Sequence, residues 1–223
     1  YGSTNAVKIW VNSVNGTGDP NSSNDTILFN IFGCDSALSG TYVIGGAGAD
    51  FATINDAIAP LMNCGISGPV TFRINSGIYN EAIIMSGSII GASTTNKVTF
   101  TSTAGHADSV QIYVAGTTCA LSEISYVNFT DITLGTTANT GEKAIVFDGN
   151  CSDIEFNRCN MYAYTSATSK SYIPVSYSNS TSGKCLSNVK FIKNTISGGY
   201  VNMLFYTTQS VGEKFMGSVT IDS

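Results

Sequence analysis

From residue 70 onward the chain repeats a short alternation of apolar and polar positions. It reads GPVTFRI at Val70, NKVTFTS at Val98, SYVNFTD at Val127, SDIEFNR at Ile154, SNVKFIK at Val189 and GSVTIDS at Val219. Successive copies lie 28, 29, 27, 35 and 30 residues apart. In each copy the apolar residue and the residue two places on project to one side and the residue between them to the other, which is the period of a β-strand. A unit this short cannot bury its own apolar side and must stack on its neighbours. Helical repeats would need a period near 3.6, and leucine-rich repeats would need Leu at fixed spacing; neither is present. Clusters such as TSTAGHADS, LGTTANTGEK and SNSTSGK punctuate the strands as turns. The pattern predicts an all-β solenoid, a parallel β-helix of two or three short strands per coil. Phe72, Phe100, Phe129, Phe156, Phe191 and Ile221 then form one interior column, repeated at the strand spacing of about 4.8 Å.

Two segments depart from the repeat. In GADFATINDAIAPLMNCGISGP, the residues Phe51, Ile54, Ile58 and Leu61 share one helical face. This predicts a short helix over about 50–62 that covers the first coil, with Asp50 as its cap and Gly65 as its stop. Pro60 argues for an irregular last turn. Residues 1–36 contain two strand-like runs, AVKIWV and DTILFNIF, joined by a polar loop. They read as the last hairpin of a β-sandwich or as an accessory hairpin. Residues 37–223 form the solenoid, with coils from about 69, and GSVTIDS stops inside a strand, the mark of a truncated solenoid.

Charged residues make up only 11% of the 223-residue chain, against a usual quarter, and the formal net charge is -5. With ten basic residues and no basic cluster, phosphate neutralisation is a poor basis for partnership, so nucleic acid is not an expected partner. No apolar run approaches a membrane span. Six cysteines without a CxxC pair and a single histidine, His106, argue against a zinc site and for disulfides in an exported chain. Two pairings suit the layout. Cys34–Cys64 would staple the segment before the helix to its end, and Cys151–Cys185 would join neighbouring repeats; free buried thiols are the alternative.

Residues 38–81, LSGTYVIGGAGADFATINDAIAPLMNCGISGPVTFRINSGIYNE, resemble the opening of pectin-lyase-like right-handed parallel β-helices in large secreted surface proteins of the Bacteroidota. There a GTYTIGG segment leads into a capping helix, a GPVTF strand and a GxYxE turn. The preceding WVNSVNG…DPNSSNDT is similar to the end of the Ig-like modules that often come before such solenoids. The resemblance implies a secreted or bacterial cell-surface protein whose partners are neighbouring domains or subunits of the same assembly, with glycans as further partners. It also brings a short O-glycosylation motif, similar to the DTI, DSA and DSV sequences that contain Thr26, Ser36 and Ser109.

Candidate chemistry is sparse. Carbohydrate-cleaving β-helices use acidic clusters with a cation and a base, or paired carboxylates flanking a glycosidic bond. The best constellation here is Asp131, Asp153, Glu155 and Arg158. Asp131 and Arg158 share one offset in adjacent coils and Glu155 and Lys190 another, which equally describes ladder ion pairs on an outer face. Tyr162, Tyr164, Tyr172 and Tyr177 lie in the long stretch 162–184 and are candidate stacking platforms for sugars. Asp19, Asn21, Asn24 and Asp25 offer oxygen ligands for calcium, the one cofactor considered, although ordinary turn chemistry accounts for the same residues. The leading expectation is therefore a non-catalytic stalk, adhesin or filament subunit. The alternatives are a polysaccharide lyase or glycoside hydrolase acting on acidic polysaccharide, and a carbohydrate-binding module.

Overall fold

Alternating runs of Val, Ile, Phe and Thr cannot satisfy their backbones alone, and in the structure each finds its partner one coil away. The computed structural model describes residues 3–10, 13, 21, 26–137, 142–164, 172–179, 184–207 and 216–222. An antiparallel hairpin, β1 (Ser3–Trp10) and β2 (Thr26–Gly33), stands first and makes its own two-stranded sheet. Next come β3 (Leu38–Ile44), α1 (Ile54–Cys64) and the first coil, β4 (Ile66–Ile74), β5 (Gly77–Tyr79) and β6 (Ile83–Ser86). The second coil is β7 (Val98–Ser102), β8 (Val110–Val114) and β9 (Cys119–Ser122), and the third is β10 (Val127–Thr130), β11 (Thr133–Thr136) and β12 (Lys143–Asp148). The fourth is β13 (Cys151–Asn157), β14 (Asn160–Tyr162) and β15 (Ile173–Asn179). The fifth is β16 (Leu186–Ile192), β17 (Thr195–Ser197) and β18 (Met203–Thr207), and β19 (Val219–Asp222) follows.

Stacking makes three parallel sheets. Sheet 1 has the order β19-β16-β13-β10-β7-β4-β3, sheet 2 the order β17-β14-β11-β8-β5, and sheet 3 the order β18-β15-β12-β9-β6. The chain is a right-handed parallel β-helix. Its interior carries the expected file of rings. Phe72, Phe100, Phe129, Phe156 and Phe191 are cross-strand partners in sequence, with centroids 4.9, 5.5, 4.9 and 5.3 Å apart, all within 26° of parallel. Ile221 holds the next register position beside Phe191 but is 63% exposed, because no described coil covers it.

The helix begins later than the apolar pattern predicts. Thr53, not Asp50, caps it: the Asp56 N–H donates to Thr53 Oγ1 at 3.0 Å while the Thr53 N–H donates to Asp56 Oδ2 at 3.1 Å, a reciprocal capping box. Asp50 instead accepts the Val43 N–H at 2.7 Å. Glu81, from the turn after β5, accepts the Ile54 and Asn55 N–H groups and so ties the helix start to the first coil. Pro60 sits inside the helix without interrupting it, and Gly65 at φ 71° ends it. Cys34 and Cys64 form the disulfide that fastens the helix end, with Cα atoms 5.5 Å apart.

Cys151 and Cys185 do not pair. Cys151 is in register with Leu186, the first residue of β16, so Cys185 lies one residue before the position opposite it. The Cys151 thiol points inward to Leu121 O and Asp148 O. No helix among the described residues is long and apolar enough to cross a membrane.

Candidate functional site

Sheet 2 has the shortest strands and the most built outer face. Alternation turns Ile112, Leu134 and Met161 inward, where each is fully buried, and turns their neighbours out. Strand register lines those neighbours into two rows parallel to the solenoid axis. One row is Gln111, Thr133, Asn160 and Thr195; the other is Tyr113, Gly135, Tyr162 and Ser197.

The second row contains an aromatic platform. Tyr113 and Tyr162 are separated by the whole of β11, about 9–10 Å of sheet. Their ring centroids nevertheless approach to 5.4 Å, at 55°. Gly135 makes this possible, because the Tyr162 ring lies across it and occupies the space a Cβ would need. A glycine inside a strand often marks such a close approach. Burial, then the hydrogen-bonded Tyr113 hydroxyl, push the Tyr162 phenol above its ordinary pKa.

One wall of the site is the turn around a short 3-10 segment, Ala107–Ser109. Thr133 Oγ1 donates to Ala107 O at 3.0 Å, Asn160 Nδ2 donates to Asp108 Oδ1 at 2.8 Å, and Gln111 Nε2 donates to Asp108 O at 2.9 Å. The Tyr113 hydroxyl donates to Gln111 Oε1 at 3.0 Å. His106 contributes only its carbonyl, which accepts from Ser109 Oγ at 2.6 Å. Between turn and sheet lies an open depression of about 490 Å³, lined by Asp108, Tyr113, Thr133, Asn160, Tyr162 and Ser197 among others. An aromatic surface beside fixed hydrogen-bonding groups is suited to a pyranose ring, whose faces are apolar and whose rim is polar.

The four acid–base candidates do not converge on one point. Arg158 closes a bidentate pair on Asp131, Nε to Oδ1 at 2.7 Å and Nη2 to Oδ2 at 2.6 Å. Both residues, and Lys193 after them, occupy left-handed corner positions at φ 52–55° between sheets 1 and 2. Hydrogen bonding to Asp131 and its charge raise the Arg158 pKa. Asp153 lies near the start of β13, the strand that Arg158 follows, so roughly 16 Å of extended chain separates them. It accepts from Asn188 Nδ2 at 2.5 Å. Glu155 faces Lys190 across sheet 1.

Other candidates are scattered. Tyr164 and Tyr172 form a tilted pair, centroids 5.9 Å apart, with Tyr164 exposed. Tyr177 is no platform: it is wholly interior, its hydroxyl donating to Gly149 O at 3.3 Å, because residues 173–179 of the presumed loop are strand β15. Thr26 and Ser36 are exposed, whereas the Ser109 hydroxyl is already engaged by Ser102 and His106 O. Of the calcium candidates, Asp19, Asn24 and Asp25 lie outside the described residues, and Asn21 alone is within them. Among the described residues no group of three or more His, Cys, Asp or Glu side chains is placed to hold a metal ion.

Sequence reasoning passed over Asp108, Thr133, Gly135 and Asn160. The available signal was Gly135 itself, an isolated glycine within an otherwise strand-like run, TLGT.

No protein-family model and no curated protein sequence matches the chain. Solved structures similar to it are pectin methylesterases. One, in complex with hexasaccharide VII, is 14% identical, the match covering 84% of this chain and 67% of that one with a TM-score of 0.45. PemA of Erwinia chrysanthemi is 13% identical over 82% of this chain and 67% of its own, with a TM-score of 0.45. The Aspergillus niger protein is 12% identical over 84% and 69%, with a TM-score of 0.41. At such identity the likeness is one of fold, the pectin-lyase-like parallel β-helix. The expectation of a non-catalytic stalk, adhesin or filament subunit is corrected: the similar solved structures carry the names of pectin methylesterases, and none is named as a stalk, adhesin or filament subunit. A stacked aromatic spine holds any such solenoid together and says nothing about what its outer faces do.

Proposed function

We propose that the chain is an extracellular polysaccharide-processing protein that grips a glycan on the outer face of sheet 2. The observation carrying this reading is the Tyr162 ring laid across Gly135 against Tyr113, beside the hydrogen-bonded Asp108–Asn160 pair. Stacking of sugar faces on the two rings supplies affinity, and Asp108, Thr133 and Asn160 fix the orientation of ring hydroxyls. Glycosidic hydrolysis by two carboxyl groups needs a pair roughly 5–9.5 Å apart. Among the described residues that line the depression Asp108 is the one carboxylate, which supports a holding role for the depression. The Cys34–Cys64 disulfide supports the extracellular placement.

The test combines binding with product detection. Affinity electrophoresis in gels containing pectin, polygalacturonate, galactan and glucan reads binding, and assays for new reducing ends, unsaturated products and released methanol read hydrolysis, lysis and de-esterification. Retardation by at least one polysaccharide, lost in Tyr162→Ala, together with one class of product, is expected. Absence of both retardation and product with every polymer overturns the reading.

A further inference from the structure

The charge in the depression on sheet 2 is one-sided: Asp108 is the one ionisable carboxylate among its described lining residues. Thr133 has committed its hydroxyl proton to Ala107 O, and Tyr113 has committed its own to Gln111 Oε1, so both oxygens present lone pairs. Asp108 has one carboxylate oxygen held by Asn160 and a second that can only accept. No lysine or arginine is among the described lining residues. The nearest arginine in the chain, Arg158, is turned toward Asp131 and bound to both of its oxygens. The chain as a whole carries a formal charge of -5.

We infer that the sheet 2 site takes an uncharged, hydroxyl-rich pyranoside and rejects a uronate; this rests on the glycan-gripping reading above. Ring hydroxyls donate to the acceptors that Thr133, Tyr113 and Asp108 present, and a vicinal pair suits the carboxylate. A ligand carboxylate is itself acceptor-only. It would face the Asp108 carboxylate with no lysine or arginine among the described lining residues to offset it, a repulsion that low salt strengthens. The ligand class is therefore set by the Asp108 charge in the wall of the site, while the tyrosine platform accepts any sugar face.

The same polymer backbone can be offered with and without charge: fully methyl-esterified oligogalacturonide and its de-esterified form, with a neutral galactan oligosaccharide as a third ligand. Calorimetry on the folded chain is expected to give at least tenfold tighter binding of the two neutral ligands, a ratio that shrinks in high salt. Asp108→Asn, which keeps an acceptor for Asn160, is expected to bring the charged ligand to within about threefold of the neutral ones. Equal or tighter binding of the de-esterified form, still weakened by Tyr162→Ala, overturns the inference and leaves the glycan site standing. Loss of discrimination in high salt without any change in Asp108→Asn overturns it as well. Failure of all three ligands to bind, or indifference to Tyr162→Ala, overturns the glycan-site reading and the inference with it.

Discussion

Arg158 reaches back one full coil to hold both carboxylate oxygens of Asp131, and it does so from a left-handed corner residue beside another. The Asp131 side chain is 7% exposed and that of Arg158 52%. Arg158→Met therefore leaves a nearly buried carboxylate without its donors. Because half of the guanidinium faces solvent, the cost expected in urea unfolding is about 1–2 kcal/mol. Adding Asp131→Asn should recover part of it, and the coupling between the two changes is read from a double-mutant cycle. Additive costs would mean that the pair contributes no coupling.

Gly135→Val tests the platform independently of any titrating group. The φ of Gly135 is not in the left-handed region, so a β-branched residue suits the strand and stability should move by less than about 1 kcal/mol. The new side chain nevertheless takes the space of the Tyr162 ring. Glycan affinity should fall about tenfold with an unchanged melting temperature. Unaltered affinity would remove the two rings from the site.

Phe129 has stacked neighbours on both sides, Phe100 at 5.5 Å and Phe156 at 4.9 Å. Phe129→Ala opens a cavity mid-solenoid that rigid cross-strand pairing cannot collapse, with an expected loss of about 3–5 kcal/mol. Phe72→Leu, near the helix-covered end, keeps most of the volume and should cost less than about 1.5 kcal/mol. Denaturant midpoints of the two variants decide the comparison.

The buried thiols predict weakness in alkali. Burial pushes Cys159 up to about 12 from an ordinary 9, and Cys119 and Cys151 shift in the same direction. Between pH 9 and 12 the unfolded chain gives up protons that the folded chain keeps, so stability is full below pH 9 and falls as pH rises through that window. Cys159→Ala should flatten the fall measured by urea melts at pH 8–11. At pH 8, thiol reagents should label the partly exposed Cys185 first and the interior thiols only on unfolding.

Coil architecture was legible in the sequence because its cause is local. A Phe two places after an apolar residue needs only strand geometry to reach the interior, and six copies fixed the stacking axis. The helix start was misplaced because Asp50 and Thr53 are both good caps, and only the reciprocal bond to Asp56 chooses between them. The site was harder to foresee. Its rows depend on the register of strands only three to five residues long, reached after turns of unequal length. Nothing local in NMY or VQIYV says that Tyr162 and Tyr113 share a row. Tyr177 failed as a surface candidate for the opposite reason: polar neighbours disguised a strand whose alternation turns that ring inward.

The fourth repeat interval is 35 residues and the third is 27, yet the Phe rings they join lie 5.3 and 4.9 Å apart. Contour length and axial rise are thus uncoupled: a longer coil does not lengthen the rod. A lineage of such chains can acquire or shed peripheral segments one coil at a time, remodelling what its flanks touch while the axial pitch stays constant.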